Sequence, residues 1–363
     1  MDRRSFLKKA GVVTAGAAAT SALATPALSQ DRRELKMVTT WPKNFPGLGT
    51  GAQRVADRIT AMTDGRITVT LYAAGELVGA FESFDAVSTG AADMYHGAEY
   101  YWQGKHKGFN FFTAVPLGMT AGELDGWVNH AGGQALWDEL AAGFNLKPMM
   151  AGNTGVQMGG WFAREINSLE DMRGIKMRMP GLGGEVLRRL GASAVALPGG
   201  EIFPALQSGA IDATEWVGPW NDRAFGFQRI VKNYYYPGFH EPGSGLAVGM
   251  NLDVFNSLAD SDKELVKAAC LAENNVMYSE YMANNGAALS ALINEDGVTL
   301  RKFPDEVWAE FARLSEEVVN EAAEDDIGRR ILASYQQARK DMAGWTKIAE
   351  QIYAEARGAN LDI

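Results

Sequence analysis

Arg178 has the side chain and the position to capture a carboxylate. Within residues 175–179, Ile175, Met177 and Met179 point to one face of a strand and Lys176 and Arg178 to the other. Pro180 and Gly181 stop that strand, so Arg178 stands at its carboxyl end, where open α/β sheets bind ligands. A guanidinium fork pairs both oxygens of a carboxylate; an arginine so placed also serves as a structural salt-bridge partner. Further on, the stretch 213–220 sets Glu215 beside Trp216 and Trp220 at another strand end. Glu215 is a candidate cation ligand or hydrogen-bond acceptor, and Trp216 a candidate wall of an apolar pocket. Gln157, on the opening strand of the same half, offers a neutral oxygen ligand. A hard cation held by Glu and Gln oxygens would let an anionic ligand bind beside an acidic protein.

Other chemistries lack their residues. Gly181-Leu182-Gly183-Gly184 lacks the full G-x-G-x-x-G spacing and is not followed by Lys-Ser/Thr, so it is read as a tight turn opening a helix. The four histidines are His96, His106, His130 and His240; the first three lie in different segments without a ligand partner at metal spacing. No Gly-x-Ser-x-Gly elbow, His-Glu-x-x-His helix or Cys-x-x-Cys pair is present. A single cysteine, Cys270, excludes an internal disulfide and any cluster held by several thiolates. The net charge of −10 over 363 residues argues against a general nucleic-acid binder. No catalytic machinery is visible.

These candidates need strands and helices to place them. Residues 34–41 predict a first strand, 51–63 a helix with Val55, Ile59 and Met62 on one face, and 66–72 a β-branched second strand. A helix over 81–89 and a short strand over 93–96 follow. A second cycle predicts strands at 157–163, 174–179, 193–197 and 213–216, with helices at 168–172, 184–190 and 201–208 between them. Strand–helix alternation of this kind signals parallel α/β sheets. Two such units predict two lobes around a cleft, with crossovers near 151–157 and 240–250. From Ser261 onward the chain is expected to be helical. Ile331, Tyr335, Ala338, Met342, Trp345, Ala349 and Ile352 form a heptad seam, suited either to a helix lying along its own lobes or to a second protomer.

The chain opens on Arg3-Arg4-Ser5-Phe6-Leu7-Lys8 and continues through an Ala/Gly-rich apolar stretch to about Ala24. That order is an export signal, and the adjacent arginines are of the twin-arginine type. Small residues at 22–24 and 27–29 offer cleavage sites. Removing 1–29 takes away four cations and one anion and leaves an acidic mature chain of net charge −13, expected in the periplasm.

The run Leu169-Glu170-Asp171-Met172-Arg173-Gly174-Ile175-Lys176-Met177-Arg178, then Leu190-Gly191-Ala192, Leu197-Pro198 and the block 201–212, resembles the substrate-binding proteins of TRAP transporters. Glu215-Trp216-Val217-Gly218-Pro219-Trp220-Asn221-Asp222, with 234–238 and 240–243, resembles the branch that binds 2-oxo acids. The resemblance covers nearly all of the mature chain. It implies a two-lobed α/β periplasmic-binding-protein-like fold with a ligand cleft, hinge strands and a long C-terminal helix. The implied division is 1–29 signal, 30–155 with 242–282 as one lobe, 156–241 with 283–330 as the other, and 331–363 as a dimerisation helix. The family's carboxylate clamp falls on Arg178. Gln157, Glu215 and Trp216 match residues that hold ligand and cation, and Tyr100 and Tyr101 match pocket aromatics. The implied function is capture of a small monocarboxylate such as pyruvate, with a sodium or calcium ion, for delivery to membrane permease subunits, by a non-enzymatic homodimer. Lactate or another hydroxy acid, a polyol or a dicarboxylate stay open as ligands. A periplasmic redox enzyme, which twin-arginine export would suit, and a ligand sensor are the readings from other classes.

Overall fold

The computed structural model describes residues 32–360; the expected signal segment at 1–29 lies outside them. The first unit contains β1 (Arg33–Thr39), α1 (Leu48–Met62), β2 (Ile67–Tyr72), α2 (Ser83–Ser88) and β3 (Met94–Gly97). β1 pairs in parallel with β2 and β3. Leu35 and Met37 of β1 pack in one core with Val55 and Ile59 of α1, the apolar face its spacing sets. α3 (Ala121–His130), α4 (Gly133–Ala142) and β4 (Leu146–Asn153) complete this stretch.

The second unit contains β5 (Gly160–Phe162), α5 (Leu169–Met172), β6 (Lys176–Arg178), α6 (Gly181–Arg189) and β7 (Ser193–Val195). It continues with α7 (Gly199–Gln207), β8 (Ala213–Thr214), α8 (Pro219–Phe225) and β9 (Asn233–Tyr236). β6 pairs in parallel with both β7 and β8. β10 (Gly245–Asn251) then returns to the first sheet, between β3 and β4.

The sheets run β2-β1-β3-β10-β4 and β11-β9-β5-β8-β6-β7. They are mixed, which corrects the expectation of parallel sheets. β10 is antiparallel to β3 and β4, and β5 is antiparallel to β8 and β9. Each of these strands follows a crossing from the other unit and enters its sheet against its neighbours. The crossing segments between β4 and β5 and between β9 and β10 are two of the covalent bridges between the units, and they shape the cleft.

After α9 (Leu252–Asn256), α10 (Asp260–Asn294) runs unbroken and packs on β4, α1 and α8, thus touching both units. The C-terminal third is not wholly helical, because β11 (Thr299–Lys302) adds an edge strand parallel to β9. It is four residues long and mostly exposed, so it carries little hydrophobic pattern to reveal it.

α11 (Asp305–Glu321) and α12 (Asp326–Thr346) follow, then a π-turn over Lys347–Gln351 and α13 (Ile352–Asn360). The heptad seam divides between two environments. Ile331, Tyr335 and Ala338 are buried in this chain's own core, where Tyr335 meets Phe111 and Trp127 edge-on. Trp345 is 70% exposed and Ile352 47% exposed. No helix of the described residues is long and apolar enough to cross a membrane.

Candidate functional site

The cleft is built from the two crossing segments. Gln157 lies in the first, just before β5 rather than on it, because the chain is still passing between sheets there. His240, Glu241 and Ser244 lie in the second. The crossings are tied together by Gln157 N donating to Glu241 O at 3.0 Å, Gly238 N to Gln157 O at 2.9 Å and Thr154 N to Ser244 O at 3.2 Å. Gly238 permits this approach: a Cβ there would fall 2.7 Å from Gln157 O and 2.8 Å from Met158 O.

Arg178 ends β6 as its spacing predicts, and its side chain is fully buried. Its guanidinium pairs with the Glu215 carboxylate. Nε donates to Leu197 O and Nη2 to the Tyr101 hydroxyl, each at 3.2 Å. The Trp216 ring lies 5.1 Å from the guanidinium carbon, a cation–π distance. Burial opposes the charge on Arg178, but Glu215 and then Tyr101 outweigh it and raise its pKa, so it is a permanent cation.

The loop after β8 carries Glu215 and Trp216 and is anchored by Asp222. That carboxylate accepts from Val217 N, Trp161 Nε1 and the Tyr234 hydroxyl at 3.1, 3.0 and 2.7 Å. Burial pushes the Asp222 carboxyl up to about 6 despite those donors.

Tyr100 and Tyr101 come from the turn Glu99–Trp102 beside β3 and stack on each other at 4.8 Å. Glu99 fixes that turn, accepting from the Tyr95 hydroxyl and Trp137 Nε1 at 2.6 and 2.5 Å. Burial raises the Glu99 carboxyl to about 7. Trp41 closes the pocket against Trp216, edge-on at 6.0 Å. Its Nε1 donates to His96 Nδ1 at 2.8 Å, and His96 Nε2 faces Ala151 O at 3.2 Å. These partners assign a neutral His96 with its proton on Nε2. Burial agrees, lowering its pKa to about 4.

All six predicted residues therefore meet. Gln157, Tyr100, Tyr101 and Trp216 line one small, partly open pocket with Trp41 and Ser244, with a free volume of about 10 Å3. Arg178 and Glu215 stand directly behind Tyr101 and Trp216.

Sequence reasoning passed over two residues at this site. His240 Nε2 lies 3.5 Å from Glu215 Oε2, and Glu241 Oε2 accepts from Gln157 Nε2 at 2.8 Å. Twenty-five residues separate Glu215 from His240, so local spacing held no signal for that meeting. Burial and the neighbouring Glu215 push the Glu241 carboxyl upward. Buried oxygens that accept no hydrogen bond among the described residues include Gln157 Oε1, Glu215 Oε2 and Glu241 Oε1. Orphaned buried acceptors cost free energy unless something donates to them or coordinates them. The donor set is thus suited to a hard cation, with Gln157 and Glu215 as expected members. The Trp216 indole Nε1 also lacks a partner.

The family described as bacterial extracellular solute-binding protein, family 7 (DctP), matches residues 37–326. A monocarboxylate 2-oxoacid-binding periplasmic protein of Nostoc sp. (strain PCC 7120) is 39% identical over 97% of this chain and 98% of its own. A TRAP periplasmic solute-binding protein of Pseudoalteromonas atlantica T6c, solved with bound sodium and pyruvate, superposes with a TM-score of 0.86. It is 38% identical, over 89% of this chain and 99% of that one. A TRAP solute-binding protein of Bordetella bronchiseptica RB50 gives a TM-score of 0.88 at 32% identity, over 90% and 98% of the two chains. It was solved as a mixed-occupancy dimer with calcium and picolinate in its occupied site.

Proposed function

From the premise that this chain belongs to the family 7 bacterial extracellular solute-binding proteins, we propose that it captures a small 2-oxo monocarboxylate such as pyruvate. It does so without catalysis and presents the acid to the membrane permease of a TRAP transporter. The observation that carries this reading is Arg178, a fully buried guanidinium at a strand end, facing Tyr101, Trp216 and orphaned oxygens. The Nostoc and Pseudoalteromonas relatives support the ligand class.

Arg178 binds the ligand carboxylate with the edge that Glu215 and Tyr101 now hold, while Leu197 O keeps Nε in place. Glu215, released from part of that pairing, and Gln157 Oε1 would hold a cation, which supplies positive charge beside the ligand's oxygens. Trp41, Trp216 and the two tyrosines exclude water from the apolar side. The room left in the cavity is about that of one water. Entry of even a three-carbon acid therefore requires the walls to part, and the crossing segments are where two lobes would hinge. We place the lobes at 30–155 with 242–282 and at 156–241 with 283–330. The exposed end of the C-terminal helix, with Trp345, Ile348, Ile352 and Tyr353 bare, pairs with a second copy. Export by the twin-arginine segment delivers the folded chain to the periplasm.

A thermal-shift panel tests the ligand: pyruvate, longer 2-oxo acids, lactate, succinate and mannitol, each with sodium, with calcium and after chelation. A native-state ligand at a hundredfold excess over Kd stabilises by about 2.7 kcal/mol. A cation-dependent rise with 2-oxo acids is expected. A rise with lactate or succinate alone would move the substrate, and no rise with any acid would overturn the reading.

A further inference from the structure

We propose that Asn221 is a positioning residue for ligand retention. It fastens the loop between β1 and α1 in the first unit to α8 in the second, and through Phe45 that fastening steadies Trp216 against the ligand. This rests on the proposed reading of the cleft as a ligand site whose walls part to admit an acid.

The fastening is a buried joint of three elements. Asn221 lies in the short helix α8 and is 0% exposed. Its Nδ2 donates to Pro46 O at 3.0 Å, and its Oδ1 accepts from the Tyr281 hydroxyl of α10 at 2.8 Å. These partners settle the orientation of the amide. A carbonyl oxygen only accepts, so Nδ2 must face Pro46 and Oδ1 is left to the hydroxyl. The backbone presses on the same hydroxyl at the next residue: Gly47 has φ +69°, and a Cβ there would fall 2.7 Å from the Tyr281 oxygen. α8 is held on α10 by bonds of its own. Trp220 N donates to Asn285 Oδ1 at 3.1 Å, and Arg223 Nε to Asp296 Oδ2 at 2.8 Å. Asn221 is therefore the side chain by which an α8 already fixed on α10 grips the loop of the first unit.

Aromatic contacts carry that grip to the cleft. Phe45 precedes Pro46, and its ring stacks on Phe225 of α8 at 4.3 Å. Both rings meet Trp216 edge-on, Phe45 at 6.1 Å and Phe225 at 5.1 Å. Trp216 thus leans on a pair of rings, one from each unit, and the bond between Asn221 and Pro46 aligns the pair. Neither side-chain bond of Asn221 goes to a residue proposed to hold the acid or the cation. Its removal acts through the joint, not by deleting a ligand contact. A buried bond made between units in the closed arrangement, and exchanged for water when they part, stabilises the closed state alone. Its loss appears in the escape of the ligand and not in its arrival.

The test uses the full mature chain and stopped-flow tryptophan fluorescence, with pyruvate as the probe and both sodium and calcium present. Asn221→Ala should speed pyruvate dissociation by about tenfold and leave the association rate unchanged. Phe45→Leu, which removes the stack on Phe225 and keeps an apolar side chain, should also speed dissociation alone. Circular dichroism confirms that each variant is folded, and if N221A does not fold, Phe45→Leu carries the same rate test. Unchanged dissociation, or an association rate that falls as far as dissociation rises, would overturn the proposal. The acid reading is judged separately, by whether the native chain binds pyruvate at all. If it does not, hydrogen exchange on the ligand-free chain decides the joint. Protection lost together over 42–47 and 219–225 in N221A supports it, and unchanged protection there overturns it.

Discussion

Arg178 is buried and ion-paired with Glu215, and in the proposed complex it shares that charge with the ligand carboxylate. Breaking a buried charge pair by removing one partner costs about 2–5 kcal/mol. Arg178→Ala should weaken pyruvate binding by that amount, measured by calorimetry in the presence of cation; unchanged affinity would remove Arg178 from the site. Glu99, beneath Tyr100 and Tyr101, gives a pH signature. Its folded-state carboxyl keeps its proton to about pH 7, while the unfolded carboxyl loses it near 4.5. Its share of stability is therefore complete below about pH 4.5 and is lost as pH rises through 7. The stability difference between the native chain and Glu99→Gln should fall by about 3 kcal/mol from pH 4.5 to 8. Urea unfolding at several pH values would show it, and a pH-independent difference would contradict it. Arg178, Glu215 and Trp216 were legible in the sequence because each sits at a strand end, where the local pattern fixes the position. His240 and Glu241 were not, since their meeting with Glu215 and Gln157 depends on two crossings of the chain.

At the scale of elements, α6 meets the tyrosine turn in a tight joint. Gly181 opens α6 with φ +64°, and a Cβ there would lie 2.5 Å from Tyr100 Cδ2. Gly181→Ala combines backbone strain with displacement of a pocket ring. It should cost about 1–3 kcal/mol of stability and weaken ligand binding together; thermal unfolding and calorimetry would measure the two losses. A variant with native stability and affinity would show that Tyr100 need not press on this turn. The helix expected at 184–190 begins three residues earlier, since its glycines are its first turn. The strand pattern of 66–72 was clear from its β-branched alternation, whereas β11 was hidden by being short and exposed. The parallel order expected from strand–helix alternation failed at β5 and β10, whose direction is set by where the crossing segments deliver the chain.

For the whole molecule, the two sheets, the crossings between them and α10 packed on both units frame the cleft. The heptad seam reads as one continuous stripe in sequence but meets two environments. Its first three residues complete this chain's core, and its end stands free. Trp345→Glu combined with Ile352→Glu should yield a monomer by sedimentation while leaving the affinity for pyruvate intact; a dimer surviving both changes would place the interface elsewhere. The most direct test of the central claim is a calorimetric titration of pyruvate into the metal-stripped mature protein supplied with a cation. Saturable binding of one pyruvate per chain, lost when the cation is chelated, is the expected result. Absence of binding with both sodium and calcium present would contradict it.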